Sequence, residues 1–148
     1  MLVACARASQ IEGVDGISYP RLRDAVVTYY RAEALQDWKT TYGYRSDAFR
    51  RLVGFDKYAR EMEAGDAGWR LKHLDILSAE CRHGECRLRI RFTEGVSKEA
   101  AEKTWPGAVS TQVDVENTTW RATSEKKWYV LDPGARNHLG LNANIADN

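Results

Sequence analysis

The chain has 148 residues and a formal net charge of +1, with 22 Lys and Arg against 21 Asp and Glu. Hydrophobic residues make up 43% and charged residues 29% of it, which is typical of a single folded domain and excludes a disordered chain. The near-zero charge gives no reason to expect nucleic-acid binding. The sequence contains no run of about 18 apolar residues, which is the length needed to span a membrane. The three cysteines form an odd set that needs two separate explanations.

The first residues run Leu2-Val3-Ala4-Cys5, which resembles the lipobox where a bacterial signal peptidase cuts and the cysteine receives lipid. The charged and apolar regions of a full signal peptide are missing before Cys5. The resemblance predicts lipidation at Cys5 and a flexible tether over residues 1–17. It also predicts a lipoprotein on the periplasmic face of a bacterial membrane, with the outer membrane as first choice. The alternative is a chance cysteine in a cytoplasmic protein.

Helical spacing of apolar residues predicts that the domain, residues 18–134, begins with helices. Pro20 stands in a favoured first-turn position, and apolar side chains recur at helical spacing to about Trp38, which predicts one long N-terminal helix. Ser46 is a suitable N-cap for a second, short helix, and a third begins near Asp56.

Four strands are predicted after the helices. Helices followed by antiparallel strands define an α+β domain, in which the helices cover one apolar face of the sheet. Long, bent hairpins would curl this sheet around the first helix. The tail, residues 135–148, is rich in Asn and is predicted to be disordered. The strands are predicted over residues 69–81, 86–93, 109–123 and 127–132.

Residues 86–92 alternate strictly between apolar side chains on one face and arginines on the other, which predicts a half-buried strand. A two-residue turn at His83-Gly84 then places Cys81 opposite Cys86, with their Cα atoms roughly 4.5 Å apart. A disulfide can bridge that distance, so we predict a Cys81–Cys86 disulfide in an oxidising compartment. Two reduced thiols in a cytosolic core are the alternative. No metal site is expected, because His83 alone does not complete a tetrahedral ligand set.

Three stretches carry a family resemblance. Residues 31–42 run Arg-Ala-Glu-Ala-Leu-Gln-Asp-Trp-Lys-Thr-Thr-Tyr, residues 44–50 run Tyr-Arg-Ser-Asp-Ala-Phe-Arg, and residues 127–134 run Lys-Trp-Tyr-Val-Leu-Asp-Pro-Gly. They resemble two helices and the closing hairpin of the nuclear-transport-factor-2-like (cystatin-like) superfamily, although Gln36 replaces the family's Gly and no Pro follows Ser46. The resemblance implies a cone-shaped half-barrel with a long helix inside a strongly curved sheet, a pocket at the open end, and dimerisation through the outer sheet face.

The predicted hairpin register assigns side chains to this pocket. His73 and Asp75 would face inward, with Asp75 opposite Phe92, and Tyr29 and Tyr30 would complete a ligand-binding surface. Family enzymes such as ketosteroid isomerases and scytalone dehydratases use inward Asp, Tyr or His, which makes general acid–base catalysis by His73 and Asp75 the enzymatic alternative. No catalytic motif matches residue by residue, and a bulge in the strand would reverse the facing of both residues.

Arg87, Arg89 and Arg91 lie on the outer face of the strand predicted over residues 86–93, and we call them the arginine stripe. It could meet an acidic partner, anionic lipid headgroups or a second subunit. The alternative is a solvated strand face, neutralised by Glu80 and by Asp114 or Glu116 on a neighbouring strand.

The sequence therefore predicts a noncatalytic domain of the cell envelope. Its role would be to bind a small apolar ligand in the cone, or to scaffold a protein partner or a homodimer. Membrane contact would be through the lipid anchor only, and neither a cofactor, a metal nor a nucleic acid is expected. A small pocket enzyme of the isomerase or dehydratase kind is the alternative.

Overall fold

The fold combines helices with an open sheet, so the predicted α+β class is confirmed. The computed structural model describes residues 10–66, 69–96, 101–103 and 110–134. Cys5 and the predicted tail lie outside these ranges. The strands are β1 (Gln10–Glu12), β2 (Arg70–Arg82), β3 (Glu85–Gly95), β4 (Thr111–Ala122) and β5 (Trp128–Asp132), and the helices are α1 (Pro20–Ala34), α2 (Trp38–Gly43), α3 (Asp47–Leu52) and α4 (Phe55–Asp66), with a 3-10 turn at Val14–Gly16.

The sheet has five strands in the order β1-β2-β3-β4-β5 instead of the four predicted. The added strand, β1, pairs in parallel with residues 73–75 of β2, so the sheet is mixed and not purely antiparallel. Residues 10–17 thus belong to the fold instead of a tether, and Ile17 is fully buried in the core. A three-residue strand is too short to show a hydrophobic period, which is why the sequence does not reveal it.

The first helix is shorter than predicted, because it ends at Ala34 and not near Trp38. Gln36 adopts a left-handed backbone conformation, with φ of 56°, that cannot continue a right-handed helix. Asp37 then starts α2, since its carboxylate accepts hydrogen bonds from the backbone and the hydroxyl of Thr40. The predicted cap of the next helix is confirmed, because the Ser46 hydroxyl accepts from the backbone N–H three residues later.

The β2–β3 hairpin keeps the predicted register near its turn and departs from it further along. Cys81 pairs with Cys86, and a disulfide joins them with a Cα–Cα distance of 4.0 Å. Irregularities then occur between Ile76 and Ser78 and between residues 71 and 73. Each bulge adds a residue to one strand only, so every side chain beyond it changes face. Leu74, and not its neighbours, therefore points into the core and is fully buried.

Helix α1 packs on the inner face of the sheet and forms the main core together with the inward side chains of the strands. Its Tyr29 ring meets Trp120 of β4 edge to face at 5.4 Å, and its Tyr30 ring lies 5.5 Å from Phe92 of β3. A second cluster holds the short helices α2 to α4 together. No helix within the described residues is long and apolar enough to cross a membrane.

Candidate functional site

The predicted acid–base pair does not lie in an interior pocket. Asp75 pairs with Arg91 across the strands instead of Phe92, and its Oδ2 is 3.6 Å from the Arg91 guanidinium on the outer face. His73 Nε2 lies 3.7 Å from a carboxylate oxygen of Glu12 on the edge strand β1. The inward placement predicted for both residues is wrong. The bulge between Ile76 and Ser78 is the physical cause, because it reverses which side chains of β2 face the core.

The aromatic residues predicted to bind a ligand fill the core. Tyr29, Tyr30 and Phe92 are each at most 2% exposed, and they contact one another or Trp120 ring against ring. Burial, the largest cause, raises the pKa of Tyr29 well above its ordinary value. The space that the sequence assigned to an apolar ligand is therefore occupied by the protein's own side chains.

A concavity in the described part of the chain lies on the surface instead. It has a volume of about 1010 Å³ and three walls. One wall is the solvent-facing stripe of α1 between Arg21 and Thr28, the second is the link over residues 43–47, and the third is the β4–β5 hairpin, residues 121–129. We call it the helix–hairpin cleft.

Backbone hydrogen bonds hold the walls of the helix–hairpin cleft together. The N–H of Val130 in β5 donates to the carbonyl of Tyr44 at 2.9 Å, which ties the link to the hairpin. In the hairpin turn, the N–H of Thr123 donates to the carbonyl of Lys127 at 2.7 Å, and Lys126 adopts a φ of 60°. This tight turn places two adjacent lysines at the rim of the cleft.

The cleft is lined by more cations than anions. Of its carboxylates, Asp47 pairs with Arg50 and Glu125 with Lys127, the latter at 3.8 Å. Among the described residues, Arg21 and Lys126 have no ion pair, and they line the cleft from α1 and from the β4–β5 turn. The basic lining residues are Arg21, Arg45, Arg50, Arg121, Lys126 and Lys127, and the acidic ones are Asp24, Asp47 and Glu125.

Arg45 forms the floor of the cleft and connects it to the core. It is only 2% exposed, and its guanidinium carbon lies 3.7 Å from the centre of the Phe49 ring, a cation–π contact. Burial, the largest cause, lowers the pKa of Arg45, while the neighbouring Tyr29 and Tyr58 act in the opposite direction. A buried guanidinium with aromatic neighbours fixes a positive charge beneath the cleft.

Arg121 joins the helix–hairpin cleft to a second groove at the tip of the β2–β3 hairpin. Its Nη2 and Nε both donate to one carboxylate oxygen of Glu85, at 2.6 Å and 3.1 Å. These hydrogen bonds are the largest cause of the raised pKa of Arg121. The second groove, of about 1000 Å³, is lined by Cys81, Arg82 and Arg87 among others, so the disulfide lies beside it.

The arginine stripe lies on the outer face, as predicted, but its predicted neighbours are partly wrong. Asp114 and Glu116 pair with the inward-facing Phe92 and Ile90, so both carboxylates point to the inner side of the sheet. The stripe instead borders Val115, which is 45% exposed.

The described residues hold no group of three or more His, Cys, Asp or Glu side chains placed to bind a metal ion. The side chains that line the helix–hairpin cleft offer charge and hydrogen bonding. Sequence reasoning missed this cleft, although two signals for it exist. Arg21, Asp24 and Thr28 recur at helical spacing on the polar side of α1, and a lysine doublet follows the turn residues Ser124 and Glu125.

The fold defines an α+β domain with an open mixed sheet, and comparison with known proteins agrees at that level. No protein-family model matches the chain, and neither does any curated protein. A SEC-C motif containing protein from Psychrobacter arcticus aligns with a TM-score of 0.54 and 14% identity, over 76% of this chain and 59% of that protein. A SEC-C motif containing protein from Rhodopseudomonas palustris aligns with a TM-score of 0.53 and 17% identity, over 73% of each chain.

These neighbours share the fold and, at such identities, nothing further can be carried over. The present chain spans 59% of the Psychrobacter protein's length. They correct the family resemblance, because the matching structures are SEC-C motif containing proteins and no match supports the nuclear-transport-factor-2-like superfamily or a lipoprotein family. The stretches that carried the resemblance contain helix caps such as Asp37 and Ser46, which many unrelated α+β domains also use. Lipidation of Cys5 lies outside the described residues.

Proposed function

We propose that the chain is a noncatalytic binding domain that scaffolds a protein partner, with the helix–hairpin cleft as its docking site. The observation that supports this best is the contrast between interior and surface. The interior is packed with aromatic rings, whereas the cleft is open, carries basic residues on its α1 and hairpin walls, and is built on a hydrogen-bonded frame. A domain with these features can hold an extended segment of another protein.

The disulfide supports an oxidising compartment such as the periplasm as the place of action. Disulfides persist in such compartments and are rare in the cytosol. Cys81 and Cys86 close the hairpin whose Glu85 holds Arg121, so the bond also supports one wall of the cleft.

Photo-crosslinking in cells tests this proposal. A photoreactive amino acid is placed at Thr28 on one wall or Ser124 on the other, both of which are exposed. We expect both positions to cross-link the same partner protein, identified by mass spectrometry. If neither wall yields a protein adduct while the protein is folded, the docking proposal is wrong.

A homodimer through the outer sheet face is the second candidate, favoured by one observation. Val113 and Val115 stand next to each other on the outer side of β4, with exposures of 56% and 45%. Exposed apolar side chains that form a contiguous patch mark interaction sites, and these two valines would lie within such a patch. The same photoreactive amino acid at Val115 would then give an adduct of twice the chain's mass. The variant Val113→Glu would abolish that adduct when the photoreactive amino acid stands at Val115, and on its own it would leave a monomer in light scattering.

A further inference from the structure

We propose that the segment held in the helix–hairpin cleft is acidic, a run of Asp or Glu side chains from a partner protein. This rests on the proposed function and names the chemistry of the partner. The carrying observation is a pair of cations that line the cleft from two different walls. Arg21 at the start of α1 and Lys126 in the β4–β5 turn are exposed and have no ion pair within the described residues.

The remaining charges of the cleft leave the excess positive. Two of the three carboxylates, Asp47 and Glu125, are already paired with cations of the same lining. Arg45 adds a buried positive charge below, which the carboxylate of Asp132 offsets in part and which would attract approaching carboxylates through a partly desolvated medium. An acidic segment would therefore gain attraction from both walls and from the floor.

The same lining argues for a peptide over a phosphate polymer. A nucleic acid carries a charge at every residue, and the carboxylate of Asp24, which has no ion pair within the described residues, would repel some of them. A peptide can place a neutral or aromatic residue at that point. The exposed rim of Trp128 and the partly buried Tyr44 offer surfaces for it. The overall charge of +1 is also far below that of typical nucleic-acid-binding domains.

The test is a titration of the isotope-labelled protein with end-blocked hexaglutamate, followed by amide chemical shifts. We expect saturable shifts on both α1 and residues 121–129, and none with hexaglutamine. Arg21→Glu or Lys126→Glu should weaken binding by about tenfold, because each replaces an attraction with a repulsion.

Arg89→Glu is the matched control. It makes the same charge change in the arginine stripe, where the strand partners of Arg89 are the neutral Ser78 and Asn117. We expect its affinity for hexaglutamate to stay within about twofold of the unaltered chain, since it lies outside the cleft. Equal weakening by the control would overturn the proposal, because the attraction would then be nonspecific.

Two further outcomes would also overturn the proposal. One is that the shifts map outside the cleft. The other is that inorganic phosphate or an oligothymidylate displaces hexaglutamate at equal charge concentration, which would assign the site to phosphate ligands. If hexaglutamate does not bind but Thr28 and Ser124 still cross-link one partner, the docking function stands and only the acidic specificity fails. If hexaglutamate binds and no partner cross-links, the acidic specificity of the cleft stands and the docking of a protein partner fails.

Discussion

Reduction of the Cys81–Cys86 disulfide gives a quantitative test of the hairpin. The bond closes a loop with a sequence separation of 5. The chain-entropy relation for such a loop gives about 7 cal/mol/K, or about 2 kcal/mol of stability at 25 °C. The tight turn at His83-Gly84 already limits the unfolded hairpin, so about 2 kcal/mol is an upper value. Both turn residues have positive φ, which matches the twist of the paired strands.

The assay is urea denaturation followed by far-ultraviolet circular dichroism, with and without a phosphine reductant. We expect reduction to lower the free energy of unfolding by about 1–2 kcal/mol and the melting temperature by roughly 2–8 °C. The double variant Cys81→Ala, Cys86→Ala is the control, because the reductant should not affect it. Equal stability of oxidised and reduced protein would refute the reasoning, and so would three free thiols in protein purified without reductant.

Three further predictions concern the strand register, a strained residue and a buried tyrosine. In chemical denaturation, Leu74→Ala should lower the free energy of unfolding by about 2–5 kcal/mol and His73→Ala by about 0.5 kcal/mol or less, because only Leu74 faces the core. Comparable losses of stability in the two variants would mean that β2 does not contain the two bulges. Gln36→Gly should stabilise the fold by about 0.5–1 kcal/mol by relieving a left-handed backbone, whereas Lys39→Gly in helix α2 should destabilise it by about 1 kcal/mol; a loss at both positions would exclude strain at Gln36. Burial, the largest cause, raises the pKa of Tyr58 to about 12, above its unfolded value of about 10. The stabilisation is therefore complete below about pH 10 and lost as the pH rises towards 12, by roughly 2–3 kcal/mol. Denaturation curves between about pH 9 and about pH 12 should be flatter for Tyr58→Phe, and identical slopes would contradict the assignment.

The parts of the fold that the sequence predicts are those with local signals. Strict alternation over residues 86–92 and the His83-Gly84 turn determine the hairpin, and the side chain of Ser46 marks a helix start. Each of these signals lies within a few residues of the feature that it produces, because capping and strand alternation depend on the neighbouring backbone alone.

The bulges of β2 have no comparable signal. Residues 69–81 read as an unbroken strand, and the bulge positions Lys72 and Leu77 are ordinary strand residues. The extra residues are accommodated because α1 and β3 require Leu74 and Ile76 on the inner face. Tertiary packing decided the facing of His73, and the sequence-based pocket failed for that reason.

The helix–hairpin cleft could not be assembled from the sequence either. Its walls come from Arg21, from residues 43–47 and from residues 121–129, which are far apart in the chain. Charged surface residues follow no hydrophobic period, so only the folded arrangement shows that Arg21 and Lys126 line the same cleft.

The central claim is that this domain docks a protein partner in the helix–hairpin cleft. Cross-linking yield from Thr28 and Ser124 in cells, compared with the yield from Val115 on the outer sheet face, measures it most directly. The account predicts one and the same partner from both cleft positions and a much lower yield of that partner from Val115. A partner captured equally from all three positions, or from Val115 alone, would contradict it.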